Sequence, residues 1–170
     1  AEQWKKAGLD HIQERLLDLH FDLQPDQVRI TCVKAQAAPS QKPVCQTSWT
    51  YIVFKDGSVY LKTHFEPKTD LPYLPRIGLR FKLAGNLNLA TWYGRGPQES
   101  YPDKKSAALI GCYQSLVCDL HEPYIRPQEN GAHADCRWFT LTDVRGSGLL
   151  FSAQTVFGFT AHDYTAEALT

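Results

Sequence analysis

Twelve consecutive residues, Trp92-Tyr93-Gly94-Arg95-Gly96-Pro97-Gln98-Glu99-Ser100-Tyr101-Pro102-Asp103, bring rings, a guanidinium and carboxylates together in one stretch. Such a set suits a sugar site, where ring faces stack on C–H surfaces and polar groups fix hydroxyls. The glycines permit backbone angles other residues resist, and Pro97 fixes the exit of the corner. No helix-forming run or Lys-Ser/Thr pair comes after it, so this is not a phosphate loop. The plainer reading is a structural corner, with Trp92 in the core and Arg95 paired to Glu99 or Asp103.

A second set is Tyr124-Ile125-Arg126-Pro127-Gln128-Glu129-Asn130-Gly131-Ala132-His133, ahead of Arg137 and Trp138. Glu129 with His133 offers an acid/base pair or half a metal site; the plainer reading is an Asn-Gly turn closed by side-chain hydrogen bonds. Glu99 and Glu129 together invite a glycosidase reading, because such enzymes use two carboxylates about 5–10 Å apart. Two Glu in different loops of a β-domain are more often ion-pair partners. No G-x-S-x-G elbow is present, and His11, His20, His64, His121 and His162 show no ligand spacing. The candidates for carbohydrate binding or a domain interface are therefore Trp92, Tyr93, Arg95, Glu99, Tyr101, Arg126, Glu129, Asn130 and Trp138. No catalytic or metal-ligating residue is assigned.

The elements that must position these groups read as strands. Leu17, Leu19, Phe21 and Leu23 alternate with Asp18, His20 and Asp22, a period of two that predicts a half-buried strand. Val28, Ile30 and Cys32 continue on one face of a returning strand. Lys55-Asp56-Gly57-Ser58 separates the β-branched and aromatic runs 49–54 and 59–65, a strong hairpin signal. Further strands are expected at 77–83, 88–93, 109–117, 135–142, 149–154 and 157–162. Trp4, Ala7, Ile12 and Leu16 partly fit helical spacing, and Gly8 limits them to a short N-terminal helix. Many strands with no βαβ alternation argue for an antiparallel sandwich or barrel. Residues 66–75 carry three Pro, yet both flanks read as one sheet, so a single domain over 1–170 is expected.

Composition narrows the classes. The 170 residues hold 43% hydrophobic and 21% charged residues, which is globular. Eighteen basic and eighteen acidic residues leave no formal net charge, giving no reason to expect nucleic acid or an anionic membrane as partner. No stretch approaches the ~20 apolar residues of a membrane helix. Five Cys without C-x-x-C spacing read as buried or half-buried free thiols rather than a disulfide framework or zinc site, which suits a reducing, cytoplasmic compartment. The chain opens at Ala1 and contains no Met, so a processed chain or a piece of a longer one is expected.

Taken together, the motifs resemble one family. The 92–103 stretch looks like the W-x-G-x-G-P-x-E-N-Y-x-D segment in the C-terminal domain of large β-galactosidases of glycoside hydrolase family 2. Residues 72–79, with Pro75-Arg76-Ile77-Gly78-Leu79, are similar to the segment before it. Residues 124–131 are similar to the later P-x-E-N-G stretch, Asp135-Cys136-Arg137-Trp138 to the family's next segment, and Trp4-Lys5-Lys6-Ala7-Gly8-Leu9 to the opening W-K-x-A-G. Ser100 stands where the family has Asn, and Ala132-His133-Ala134 where relatives carry Asn and Arg.

The resemblance implies an all-β, galactose-mutarotase-like antiparallel β-supersandwich, incomplete at its C-terminus because the family's G-G-D-D-S-W stretch would lie beyond Thr170. It implies a non-catalytic domain of an enzyme that hydrolyses terminal β-D-galactosides with retention, helping to shape the active site and the assembly. The parent's (β/α)₈ barrel, the main expected partner, would supply the catalytic glutamates. No cofactor is expected in this chain; Mg²⁺, and possibly Na⁺, belong to the parent's catalytic region. Self-association through an open edge or apolar patch is a further expectation. The alternatives are a free-standing carbohydrate-binding module and, on fold analogy, an aldose 1-epimerase.

Overall fold

A computed structural model describes residues 2–74, 76–126 and 128–169. Pro75 and Pro127, which belong to two of the motifs above, lie outside the described residues. The chain divides into two compact units, Ala1–Leu79 and Arg80–Thr170, each carrying one four-stranded antiparallel sheet.

In the first unit, helix α1 (Glu2–Lys6) is followed by Gly8 at φ 70° and a 3₁₀ turn, Leu9–His11. Strands β1 (Gln13–Leu23), β2 (Gln27–Ala37), β3 (Cys45–Phe54) and β4 (Val59–Pro67) form a meander in chain order. The Asp-Gly signal joins β3 to β4: Asp56 Oδ1 accepts from the Ser58 N–H (2.8 Å) and hydroxyl (2.6 Å), and Gly57 takes φ 86°.

Register makes this sheet two-faced. Leu19, Cys32, Trp49 and Thr63 form one row across the strands. Phe21, Ile30, Tyr51 and Leu61 form the next, and Leu23, Val28, Val53 and Val59 the third. The opposite face carries Asp18, His20, Asp22, Arg29, Thr31, Ser48, Thr50, Lys62 and His64, with Val33, Ile52 and Tyr60 among them. The alternation therefore sorts the residues as expected, but the half-burial does not follow. Phe21 is 56% and Leu23 78% exposed, because beyond the sheet the described residues of this unit supply only α1, the 3₁₀ turn and loops. The unit's buried apolar residues are Ala35, Ala38, Val44 and Cys45, away from the three rows.

The second unit is organised around its own core. Strands β5 (Leu89–Gly96), β6 (Leu109–Leu116), β7 (His133–Thr142) and β8 (Gly148–Phe159) lie in the order β6-β5-β7-β8, with 3₁₀ turns at Val117–Leu120 and Ala166–Leu169. Trp92, Phe139, Ala90, Cys136 and Leu141 are buried on one face, with Val117, Leu120 and Ala161 closing over them. Phe139 stacks on Phe159 at 3.9 Å and on Phe151 at 5.7 Å between ring centroids.

The all-β expectation holds, with two antiparallel sheets and one short N-terminal helix, consistent with a β-sandwich. Several local expectations change. Residues 77–83 are not a strand; they are extended but unpaired, and Leu83 and Phe81 (5.5 Å from the Phe151 ring) lie on the second core. A period of two suits such a strap as well as a strand. The runs 149–154 and 157–162 merge into β8, with His162 beyond its end. The flanks of 66–75 belong to different sheets, β4 to the first and β5 to the second. All five thiols are free, yet Cys112 and Cys118 are exposed rather than buried.

The centre of the second sheet tolerates no extra atom at Gly94: a Cβ there would collide with Cys136 Sγ and lie 2.9 Å from its Cα. Gly94→Ala should cost about 1–3 kcal/mol in urea unfolding. Gly85→Ala, which has open space around the added carbon, should cost nothing measurable. Equal effects of the two would contradict the close β5–β7 approach.

Candidate functional site

The polar corner grows from the end of β5. Period two places adjacent Trp92 and Tyr93 on opposite faces of the strand. Trp92 is 1% exposed, and its indole N–H donates to the Arg95 carbonyl at 2.9 Å. Its ring lies against His133 (4.3 Å), Tyr113 (5.6 Å) and Phe159 (5.8 Å). Gly96 is required because a Cβ would sit 2.6 Å from the Tyr113 ring.

Arg95 spreads its guanidinium over three acceptors. Nε donates to Asp135 Oδ2 (2.6 Å), and Nη1 to the carbonyls of Lys105 (3.1 Å) and Ala108 (2.8 Å). Lys105 Nζ meets the other Asp135 oxygen at 2.7 Å. Lys105 and then Arg95 hold the Asp135 carboxyl below its ordinary pKa. Asp135 itself takes φ 54°, a left-handed conformation that Asp tolerates better than most residues. Its partner is thus not Glu99 or Asp103, the two expected for Arg95.

Glu99 forms a second tie. It is 7% exposed and accepts from Lys104 Nζ (2.8 Å), the Gly131 N–H (3.0 Å) and the Tyr124 hydroxyl. Burial pushes its carboxyl up, but the bonds from Lys104, Tyr124 and Gly131 outweigh that and hold it below the ordinary value. Ser100, 1% exposed, adds a backbone bond to the Ala132 carbonyl (2.6 Å), and its hydroxyl accepts from the Ala134 N–H (2.9 Å). Tyr101 is pushed up to about 12 by burial and the Glu99 charge.

Asn130 is the third hub. Its Oδ1 accepts from the Glu122 N–H (3.0 Å), and its Nδ2 donates to the Gln128 carbonyl (3.0 Å) and the Tyr164 hydroxyl (3.3 Å). Its carbonyl accepts from His162 Nε2 (3.0 Å). Gly131 comes next at φ 66°, where a Cβ would run into the Leu120 carbonyl oxygen. His133, 1% exposed, points Nδ1 at the Arg95 carbonyl (3.2 Å), and burial lowers its pKa.

The structure therefore gathers Arg95, Glu99, Tyr101 and Asn130 into one corner and places Trp92 in the core beneath it. Tyr93 and Trp138 are register partners on the other face, with the Arg137 guanidinium 5.4 Å from the Tyr93 ring centre. Arg126 and Glu129 lie exposed on the loop before Asn130, whereas Glu99 and His133 are buried. Asp135, Lys104, Lys105, Tyr124 and His133 complete the corner; none is among the carbohydrate-binding or interface candidates, and His133 figures in the sequence reading only with Glu129, as an acid/base pair or half a metal site. The left-handed conformation of Asp135 had no sequence signal, although the residue opens the Asp135–Trp138 motif, and Tyr124 lay inside the Tyr124–Gly131 motif. Chemically, both carboxylates of the corner are held by cations and hydrogen-bond donors, and His133 is buried against a carbonyl; the buried Tyr101 hydroxyl is the corner's one side-chain oxygen without a hydrogen-bond partner among the described residues. Among the described residues no three His, Cys, Asp or Glu side chains gather as a metal site, and no helix is long and apolar enough to cross a membrane.

Comparison with known proteins agrees with the same motifs. A family model described as "Beta galactosidase small chain" matches residues 1–170. A β-galactosidase of Actinobacillus pleuropneumoniae is 34% identical over 169 residues, 99% of this chain and 16% of that protein. One of Vibrio cholerae serotype O1 is 37% identical over 135 residues, covering 79% of this chain and 13% of its own length. One of Streptococcus thermophilus is 33% identical, covering 93% and 15%. The chain thus spans roughly a sixth or less of the curated relatives it matches.

The corner generates two expected outcomes. Arg95→Ala strips Asp135 of one cation and leaves two carbonyls unmet; with both side chains about a quarter exposed, the loss should be about 2–3 kcal/mol in urea unfolding. Arg95→Lys should recover only part, lacking the fork. A loss within ~0.5 kcal/mol, as for ordinary surface sites, would contradict the assignment. The second concerns pH. His133 and His162 are held below their ordinary pKa by burial, so the unfolded chain takes up their protons first and stability falls once pH drops below about 6.5. Glu99 and Asp135, held low, add stability that is lost as pH falls from about 4 through their folded values. The thermal midpoint should therefore fall in two stages. A flat midpoint between pH 7 and 5 would contradict the buried neutral histidines.

Proposed function

The chain belongs to the beta galactosidase small chain family, and on that premise we propose that it is a non-catalytic β-domain of a larger enzyme hydrolysing terminal β-D-galactosides. The observation that carries this reading is that both carboxylates of the corner are already paired with cations. A retaining glycosidase needs one carboxylate free to attack and one carboxyl free to give a proton. Glu99 and Asp135 meet neither need: each is already bonded to cations. Their charge works inside the domain, holding loops in place from which exposed side chains such as Arg126 and Glu129 can face a neighbouring part of the enzyme.

In this reading the catalytic glutamates and the metal chemistry, Mg²⁺ and Na⁺ included, reside in the remainder of the parent, its (β/α)₈ barrel above all. The domain's share is to shape the galactoside site and the assembly. A cation does not fit the corner itself, because Arg95, Lys104 and Lys105 already occupy the carboxylates.

One observation favours a second role as a carbohydrate-binding surface. Tyr93 and Trp138 are register partners on one face, with the Arg137 guanidinium over the Tyr93 ring, and aromatic side chains of this kind can stack on pyranose C–H faces. An aldose 1-epimerase has less support, since His133 and Glu99 are both buried and bonded.

The purified chain should not turn over nitrophenyl-β-galactoside; activity surviving contamination controls would overturn the non-catalytic reading. Galactose or lactose at tens of millimolar, where even a Kd near 1 mM saturates, should change Trp fluorescence in the wild type but not in Tyr93→Ala if this face binds sugar. An unchanged wild-type spectrum would remove that role.

A further inference from the structure

One Asn-Gly step occurs in the chain, Asn130-Gly131; Asn86 and Asn88 each precede Leu. Such a step carries its own nucleophile. Glycine has no Cβ to hinder its backbone nitrogen, which can attack the preceding side-chain amide carbon and close a succinimide ring. Ring closure needs the Asn side chain free to swing over the backbone and the Gly nitrogen free to lose its proton. The fold removes both freedoms. Asn130 is 1% exposed, and both ends of its amide are held: Oδ1 accepts from the Glu122 N–H (3.0 Å), and Nδ2 donates to the Gln128 carbonyl (3.0 Å) and the Tyr164 hydroxyl (3.3 Å). The Gly131 N–H is donated to Glu99 Oε2 (3.0 Å); a carboxylate is far too weak a base to take an amide proton, so the bond keeps the nitrogen protonated. The backbone has no room to turn either: Gly131 holds φ 66°, and the Leu120 carbonyl and the His162 ring crowd the space where a Cβ would stand.

We propose that Asn130-Gly131 is a masked deamidation site: closed in the folded second unit, open in the unfolded chain, and a bar to refolding once it has reacted. In the open chain a base in the solvent takes the Gly131 amide proton, and the nitrogen attacks Asn130 Cγ. The N–Cγ bond forms, the Cγ–Nδ2 bond breaks, and Nδ2 leaves as ammonia after taking a proton from water. Water then adds to either carbonyl of the ring and gives an aspartyl or an isoaspartyl product. Neither product fits the hub. An aspartyl carboxylate sets an oxygen where Nδ2 donates, facing the Gln128 carbonyl, and adds negative charge to a buried place already beside the Glu99 carboxylate. An isoaspartyl link adds a carbon to the backbone of the crowded turn. Every group that masks the step, from Glu99 to Tyr164, lies in the second unit itself, so the masking needs no other part of a larger protein. The proposal is independent of any catalytic reading of the family.

Mass spectrometry of the full chain tests it. One sample is kept native and one is unfolded in guanidinium chloride, both in the same mildly alkaline buffer, and tryptic peptides are read for the replacement of NH₂ by OH. Asn130 should convert about 100-fold or more faster in the unfolded sample, because the native chain reacts only through opening of the unit. Asn86 and Asn88, each before Leu, should stay slow in both samples. On dilution from denaturant, the unmodified fraction should regain the native near-ultraviolet signal and the modified fraction should not. Asn130→Asp, which installs the aspartyl product directly, should lower the urea midpoint or fail to fold. Conversion as fast in the native chain as in the unfolded one, no conversion in the unfolded chain, a modified fraction that refolds like the fresh one, or Asn130→Asp as stable as the wild type would overturn the proposal.

Discussion

The second unit depends on holding two carboxylates, Glu99 and Asp135, away from bulk water. A buried or half-buried carboxylate is tolerated only with cations and N–H donors around it. Asp135 has Arg95 and Lys105; Glu99 has Lys104, Tyr124 and the Gly131 amide. The Arg95–Asp135 and Lys105–Asp135 ties join β5 and the loop after it to β7, and the Glu99 bonds to Tyr124 and Gly131 join that loop to the segment before β7. The loop 97–108 is thereby folded onto the start of β7, and His133 and Trp92 are sealed beneath it. Removing one member leaves the others charged and uncompensated, so the network acts as a unit.

The two units solve the burial problem differently. The second covers the inner face of its own sheet with residues from its straps and turns, and stacks Phe139, Phe151 and Phe159 into a continuous ring cluster. The first gathers Leu, Phe, Ile, Val and aromatic residues on one face, yet its own elements leave that face uncovered. A sheet patterned in this way is built to meet another surface.

Local periodicity was enough to read most of the strands, because alternation and turn residues are written within a few positions. Asp56-Gly57 marked its hairpin, and Leu17 to Leu23 marked β1. The same signal misled at 77–83, since alternation records which side chains face a core and not whether the backbone has a strand partner. The site was less legible for a related reason. Arg95 pairs with Asp135, forty residues on, through the β5–β7 adjacency, and strand order is not local information. Trp92 and Tyr93 were equally good sugar-site residues by type; only the sheet decides that one is 1% and the other 37% exposed. The family was legible because several motifs fall in order along the chain, and Gly94, Gly96 and Gly131 within them stand where an added Cβ would collide.

The central claim is that the Glu99 and Asp135 ties make the corner part of the rigid second unit rather than a mobile, reactive loop. Amide hydrogen exchange at Gly131, whose N–H is given to Glu99, tests it most directly. The account predicts exchange as slow as that of Trp92 in the middle of β5, released only by unfolding of the whole unit. Exchange at the rate of an exposed loop amide such as Gly78 would contradict it.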